Sequence, residues 1–444
     1  MKNPRWRALS LATLLLLLTL TSCIQPRNEG TPDEIARRFL EYLVKEDFPA
    51  AFSMFDNTMK ALLPEPLLLS TWQEITSQFG PYSGELEYKE EYGGKFVRIV
   101  LRSLFARGAL DVQVTLNARR EVSGLYFSPV QGYGYVEPSY IDRSRFVEEE
   151  MILNASSAFP LPGTLSLPAG DGPWPAVLLV HGSGPNDRDE TILANKPFAD
   201  IAWGLASRGV AVLRYDKRTF AHQAAMASLP EITLREETID DAVAAVRFLM
   251  DDPRFNANRI FVLGHSLGGL AAPRIGLAVP ELAGLILLAA PARPLEDILV
   301  EQYEYIYGLE EDPAKYQSQL DEFRRQMENV KDPDLSSDIP ASQLMGVPAA
   351  YWLDLRDYNP PLVAADLDMA LLVLQGGRDY QVTMADYALW QEALSLHPQA
   401  RFRSYPDLNH IFQTGSEKST PAEYFTPGNV SLEVITDIVD FLRP

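Results

Sequence analysis

Val262-Leu263-Gly264-His265-Ser266-Leu267-Gly268-Gly269 decides how this chain reads. An apolar run from Ile260 to Leu263 ends in Gly-x-Ser-x-Gly, and small residues at helical spacing follow from Gly268. The order is strand, sharp turn, helix. That is the pattern of a nucleophile elbow, which lifts a serine out at the carboxyl end of a buried strand. Gly264 and Gly268 remove side chains that would collide where the strand and helix approach each other. The same five residues also occur in plain glycine-rich turns, so partners elsewhere in the chain have to decide.

Outward from the elbow, apolar runs at 176–180, 210–215, 260–263, 285–290, 370–374 and 402–405 alternate with helical patterns at 197–207, 239–250, 270–277, 384–394 and 432–442. Continuous apolar strands separated by helices predict a mostly parallel sheet covered on both faces. Segments 148–153 and 163–167 are expected to add antiparallel edge strands. An insertion at about 293–366, with helical patterns at 295–309 and 313–330, breaks the alternation. It falls over the carboxyl ends of the strands, where open α/β sheets bind ligands, and is expected to be a helical cap that shapes a pocket.

A serine hydroxyl needs a base, a group that orients the base, and donors for the oxyanion. There are five histidines. His265 lies inside the elbow, His181 directly after a strand, His222 in a polar loop well upstream, and His397 before the last strand. His410, in Asp407-Leu408-Asn409-His410, follows the last strand and is the one placed to act as base. The acid should follow a strand between Ser266 and His410. Asp379 does so after Gln375-Gly376-Gly377-Arg378, whereas Asp354, Asp357, Asp366 and Asp368 precede that strand. The amide of Leu267, at a helix N-terminus, and that of Ser183, in His181-Gly182-Ser183-Gly184, are the expected oxyanion donors. The charged residues Asp187, Arg188, Asp189, Arg214, Asp216, Lys217 and Arg218 read as a structural ion network more than as pocket lining.

The order oxyanion loop, Ser266, Asp379, His410 resembles that of the α/β-hydrolase superfamily. The closer resemblance is to bacterial EstD-type esterases with an additional N-terminal domain. It is carried by the stretches from His181 to Asp189, Leu213 to Thr219, Arg378 to Val382 and Leu408 to His410. The resemblance implies an α/β-hydrolase fold over residues 143–444 and carboxylesterase activity on short acyl esters, with a small-molecule ester as substrate. The triad chemistry leaves open a serine peptidase or amidase, and the fold leaves open a non-catalytic surface-binding lipoprotein. No motif sets the acyl length or the oligomeric state.

The remaining chain frames this region. Residues 31–127 begin with helical patterns, Thr31-Pro32-Asp33-Glu34 forming a helix start with a capping box. They then switch to period two, which predicts a small α+β domain. Residues 128–142, rich in Pro, Gly and Tyr, read as a linker. Lys2, Arg5 and Arg7 precede an apolar run from Ala8 to Leu20, which ends at Leu20-Thr21-Ser22-Cys23. Residues 1–23 read as a secretory signal whose ending resembles a lipobox. Cys23, the single cysteine, is then the expected lipidation site, and the protein an extracytoplasmic, membrane-anchored lipoprotein of a bacterial cell envelope. The net charge is −21 over 444 residues with no basic, aromatic-laced patch, which excludes a nucleic-acid partner. No metal-site spacing, Walker loop or dinucleotide fingerprint is present, so no cofactor or metal is implied.

Overall fold

The computed structural model describes residues 28–229 and 231–443, so Cys23 and the signal segment lie outside the described residues. Contacts divide the chain after Ser128 into two compact units.

The smaller unit opens with the helix Pro32–Val44. Glu34 accepts the Thr31 N–H at 2.8 Å, but the Thr31 hydroxyl turns to Asp33, at 2.5 Å. Ile35, Phe39, Leu40 and Leu43 bury the apolar face that their spacing predicts. Three more helices, Phe48–Ser53, Asn57–Leu62 and Glu65–Phe79, precede a four-stranded sheet in sequential order. Its strands are β1 (Tyr82–Gly93), β2 (Phe96–Phe105), β3 (Gly108–Leu116) and β4 (Val122–Pro129). Alternate residues of β2 and β3 are buried, as period-two patterning requires of a sheet with one covered face.

The larger unit holds β5 (Phe146–Leu153), β6 (Leu161–Pro168), β7 (Trp174–Val180), β8 (Ala211–Tyr215), β9 (Phe255–His265), β10 (Gly284–Leu288), β11 (Ala370–Gly376) and β12 (Ala400–Tyr405). They form one sheet in the order β12-β11-β10-β9-β7-β8-β6-β5. The strands from β7 onward pair in parallel; β6 pairs antiparallel with β8, and β5 antiparallel with β6. Along β7, Ala176, Leu178 and Val180 enter one core while Val177 and Leu179 enter the core on the opposite face. That two-sided burial is why the strands read as unbroken apolar runs. After β7 the chain steps to β8 on one side, and β9 then returns to the other. This reversal opens a crevice at the carboxyl ends of β7 and β9.

Two expectations need adjusting. The 128–142 stretch is not a loose linker. Its Tyr135 hydroxyl donates to Asp200 at 2.5 Å, its Tyr140 hydroxyl donates to the Val430 carbonyl at 2.8 Å, and Tyr135, Tyr140 and Ile141 pack on a core of the larger unit. Turn-forming Pro and Gly direct the path of this segment, but its aromatic rings fasten it down. The insertion, for its part, is more than two helices. Besides Leu295–Gly308 and Gln317–Lys331 it contains Ala349–Leu355 and Pro360–Ala365. Phe323, Met327, Val330, Leu344 and Trp352 give it a small core of its own.

Candidate active site

Ser266 sits between β9 and the helix Leu267–Ala278 with φ 51° and ψ −118°. A non-glycine residue there is strained by about 1–3 kcal/mol, and only tight surroundings hold it. The surroundings are tight. A Cβ on Gly264 would stand 2.2 Å from the Gly268 carbonyl oxygen, and one on Gly268 would stand 2.1 Å from that of Val180. The two glycines of the motif are the points where strand, helix and the neighbouring β7 touch backbone to backbone.

Asp379 and His410 lie 31 residues apart in sequence and meet in space. Nδ1 of His410 is 2.7 Å from Oδ2 of Asp379, and both side chains are buried. Asp379 is held on every side. Oδ1 accepts the N–H groups of Gln381 at 2.8 Å and Val382 at 3.1 Å, and Oδ2 accepts Nε2 of Gln375 at 3.2 Å. A carboxylate pinned in this way fixes the tautomer of an imidazole that donates Nδ1–H to it, leaving Nε2 to receive a proton. The other four histidines are tied to backbone carbonyls through Nε2: His181 to Asp187, His222 to Pro160, His265 to His410 and His397 to Leu367.

The parallel pairing of β7 with β9 sets Val180 opposite Gly264. The loop after β7 therefore runs beside the elbow. Gly182, Ser183, Ser266, Leu267 and His410 line a single cavity of 170 Å³. Leu295, Ile298, Leu299 and Gln302, from the first helix of the insertion, form another wall of it. Gln302 donates to the Gln381 carbonyl at 2.9 Å, which fastens this helix beside the Asp379 loop.

Of the groups that hold the loop, sequence reading missed Glu190 and placed Lys217 in an ion network without its bond to the loop. Glu190 is buried, and its Oε1 accepts the Gly182 N–H at 2.6 Å. Its Oε2 lies 2.8 Å from Nδ1 of His265. Burial works against both charges, but their mutual attraction outweighs it, so the Glu190 carboxyl is held below its usual range and His265 above its own. His181, by contrast, is pushed down to about 4 by burial, against the pull of Glu190, and is neutral. Lys217 is also buried, and donates to the Gly182 carbonyl at 2.8 Å. A lone Glu or Lys on a polar stretch carries no local mark of burial, so only its partners reveal it.

The other charged residues of these stretches are ion-paired, with one another or with nearby charges. Arg188 reaches Asp216 at 3.0 Å, Lys196 reaches Asp189 at 2.9 Å, and Arg218 reaches Asp241 at 2.6 Å. Arg188–Asp216 ties the loops after β7 and β8 together, Lys196–Asp189 closes the former on itself, and Arg218–Asp241 fastens the latter to the helix Asp240–Asp251. Among the described residues no group of His, Cys, Asp and Glu is arranged to hold a metal ion.

The fold and this arrangement are those of an α/β hydrolase. Residues 177–425 match the α/β hydrolase family, and residues 36–125 match a family described as a protein of unknown function, DUF3887. The chain is 36% identical over 413 residues to Esterase EstD of Thermotoga maritima, a match that covers 93% of this chain and 96% of that one. Among solved structures, Est1E from Butyrivibrio proteoclasticus matches with a TM-score of 0.44 at 15% identity, over 66% of this chain and 98% of its own. The Pyrococcus furiosus esterase PF2001 matches with a TM-score of 0.43 at 17% identity, over 67% and 91%. The chain belongs to the α/β hydrolase family and is an esterase-like member of it.

Proposed function

We propose that the protein is a serine carboxylesterase that works through an acyl-enzyme on short acyl esters. The observation that carries this reading is the 2.7 Å contact of His410 with Asp379 at the wall of a cavity shared with the strained Ser266. Ser266 Oγ attacks the ester carbonyl carbon while Nε2 of His410 takes its proton. Asp379 holds the imidazole and stabilises the imidazolium. The carbonyl oxygen becomes an oxyanion that accepts the N–H groups of Leu267 and Ser183, the former at a helix N-terminus. When this intermediate collapses the C–O bond breaks, and His410 returns the proton to the leaving alcohol. Water repeats the sequence on the acyl-enzyme and releases the acid. The small cavity, walled by the insertion, favours short acyl groups.

The Ser266→Ala protein should fold and lose turnover of p-nitrophenyl butyrate, and a fluorophosphonate probe should label Ser266 in the wild type alone. Unchanged turnover in the variant would overturn the reading. An aminoacyl anilide hydrolysed in preference to the ester would replace it with the amidase alternative, and a wild type that takes no label would favour the non-catalytic one.

The proposal extends to location: lipidation of Cys23 anchors the protein outside the cytoplasm. What supports it is the charged start, the apolar run and the single cysteine at its end. Membrane fractions of cells expressing the full chain should lose the protein on Cys23→Ala. Retention of the variant in the membrane would refute the anchor.

A further inference from the structure

The peptide unit that carries the Ser183 N–H also carries the Gly182 carbonyl, and in a trans peptide these two groups point in opposite directions. Nζ of Lys217 donates to that carbonyl at 2.8 Å, and Nδ2 of Asn186 donates to it at 3.2 Å. On the preceding peptide unit the Gly182 N–H is taken by Glu190 at 2.6 Å. Both peptides flanking the Gly182 Cα are therefore held, one by Glu190 of the same loop and the other by Asn186 of that loop and by Lys217 from beyond β8. Lys217 is itself held: its Nζ donates to Oε1 of Glu237 at 2.5 Å. Glu237 lies in a π-helical turn, Arg235–Ile239, and its Oε2 accepts the Tyr351 hydroxyl at 2.7 Å. Tyr351 belongs to the helix Ala349–Leu355 of the insertion. Burial, reinforced by the Glu237 charge, keeps this phenol protonated and able to donate. The chain of contacts thus runs from the insertion to the Gly182–Ser183 peptide, which lines the cavity together with Ser266.

We propose that Lys217 is a positioning residue for the oxyanion donor Ser183, and that Glu237 and Tyr351 couple its placement to the seating of the cap. The inference rests on the esterase reading above. Lys217 directs the Gly182 carbonyl away from the cavity, so the Ser183 N–H faces into it. An ammonium on the carbonyl also polarises the peptide and makes its N–H a stronger donor. A cap that lifts withdraws the Tyr351 hydroxyl from Glu237, and Glu237 is then free to shift Lys217. The oxyanion site is thereby complete only with the cap seated.

The test is steady-state kinetics on p-nitrophenyl butyrate with the full chain, together with inhibition by a trifluoromethyl ketone, whose hemiketal oxyanion occupies the same donors. Lys217→Met should lower kcat by about 10²-fold, the loss that follows removal of one oxyanion donor, with KM changed less than about threefold. The inhibitor should weaken in parallel with kcat/KM. Lys217→Arg should recover part of the loss. Tyr351→Phe removes a single hydroxyl from a packed ring, keeps the fold, and should lower kcat severalfold with the same parallel loss of inhibitor affinity. If kcat in Tyr351→Phe and Lys217→Met stays at the wild-type value, or if only KM changes, the proposal fails while Ser266 labelling still stands. Failure of Ser266 itself to label would instead remove the esterase reading.

Discussion

Nδ1 of His265 stands 2.8 Å from Oε2 of Glu190, and both side chains are buried. The pair joins the two loops that flank Ser266: Glu190 holds the Gly182 N–H, and Nε2 of His265 contacts the His410 carbonyl at 3.0 Å. Glu190, held below its ordinary 4.5, contributes stability that is present above that value and lost as pH falls through its lowered value. His265, held above its ordinary 6.5, contributes stability that is present below 6.5 and lost as pH rises through its raised value. The pair is therefore worth most between these limits. Glu190→Gln should cost about 3 kcal/mol at pH 5.5, less than that well above neutrality. Urea melts in steps from pH 5.5 upward measure the difference; a loss on substitution that does not change with pH would refute the ion pair.

Ser266 combines a reactive hydroxyl with a backbone that suits glycine, at φ 51°. Ser266→Gly should abolish ester hydrolysis and at the same time stabilise the fold by about 1 kcal/mol, since relief of strain exceeds the extra chain entropy of glycine. Thermal melts of wild type and variant give the sign directly. A lower Tm in the variant would show that the elbow is not strained.

Asp379 fixes the imidazole of His410 by charge as well as by geometry. Asp379→Asn preserves the volume but offers an amide where Nδ1–H needs an acceptor. The expected result is a fall of about 10³–10⁴ in kcat, with KM little changed and the fold intact. A fall of less than tenfold would mean that His410 is oriented by something else.

Asp200 gives a second pH signature, far from Ser266 in role. Burial raises its pKa to about 7, against the hydrogen bonds of Tyr135, Val430 and Asn429. A raised carboxyl contributes stability that is fully present below its unfolded value of 3.8 and lost as pH rises through about 7. Asp200→Asn should remove that loss, so the variant should be the more stable by about 2–4 kcal/mol above pH 7.5 and close to wild type only near pH 3.5, below the unfolded value. Denaturant midpoints at the two values decide it. A variant less stable at both would show that the ionised carboxylate is the better acceptor for its three donors.

Much of the larger unit is visible in the sequence, because buried parallel strands and the turns after them have local signatures. Residues 176–180 read as a strand because every side chain is buried. The start of β9 does not read as one, for Asn256, Ala257, Asn258 and Arg259 are polar or small; they extend the strand because Phe255 pairs with Trp174. The stretch 128–142 looks like a linker by composition, and only the partners of Tyr135 and Tyr140 show that it is fastened. Glu190 looks like a solvated charge until its neighbours are known, and Lys217, legible as part of an ion network, gives no sign of its bond to the Gly182 carbonyl.

By itself the sequence determined that Ser266, Asp379 and His410 each follow an apolar strand, in that order, and that a glycine-rich loop follows an earlier one. Hydrophobic period and turn chemistry act over a few residues, so they are written locally. Only the tertiary structure decided that β7 lies beside β9, which sets the Gly182 loop next to Ser266. It also decided that Lys217 reaches across 35 residues to the Gly182 carbonyl, and which residues of the expected cap, Leu295, Ile298, Leu299 and Gln302, wall the cavity. Strand order, register and the pairing of buried charges depend on which distant segments become neighbours, and no local pattern carries that information.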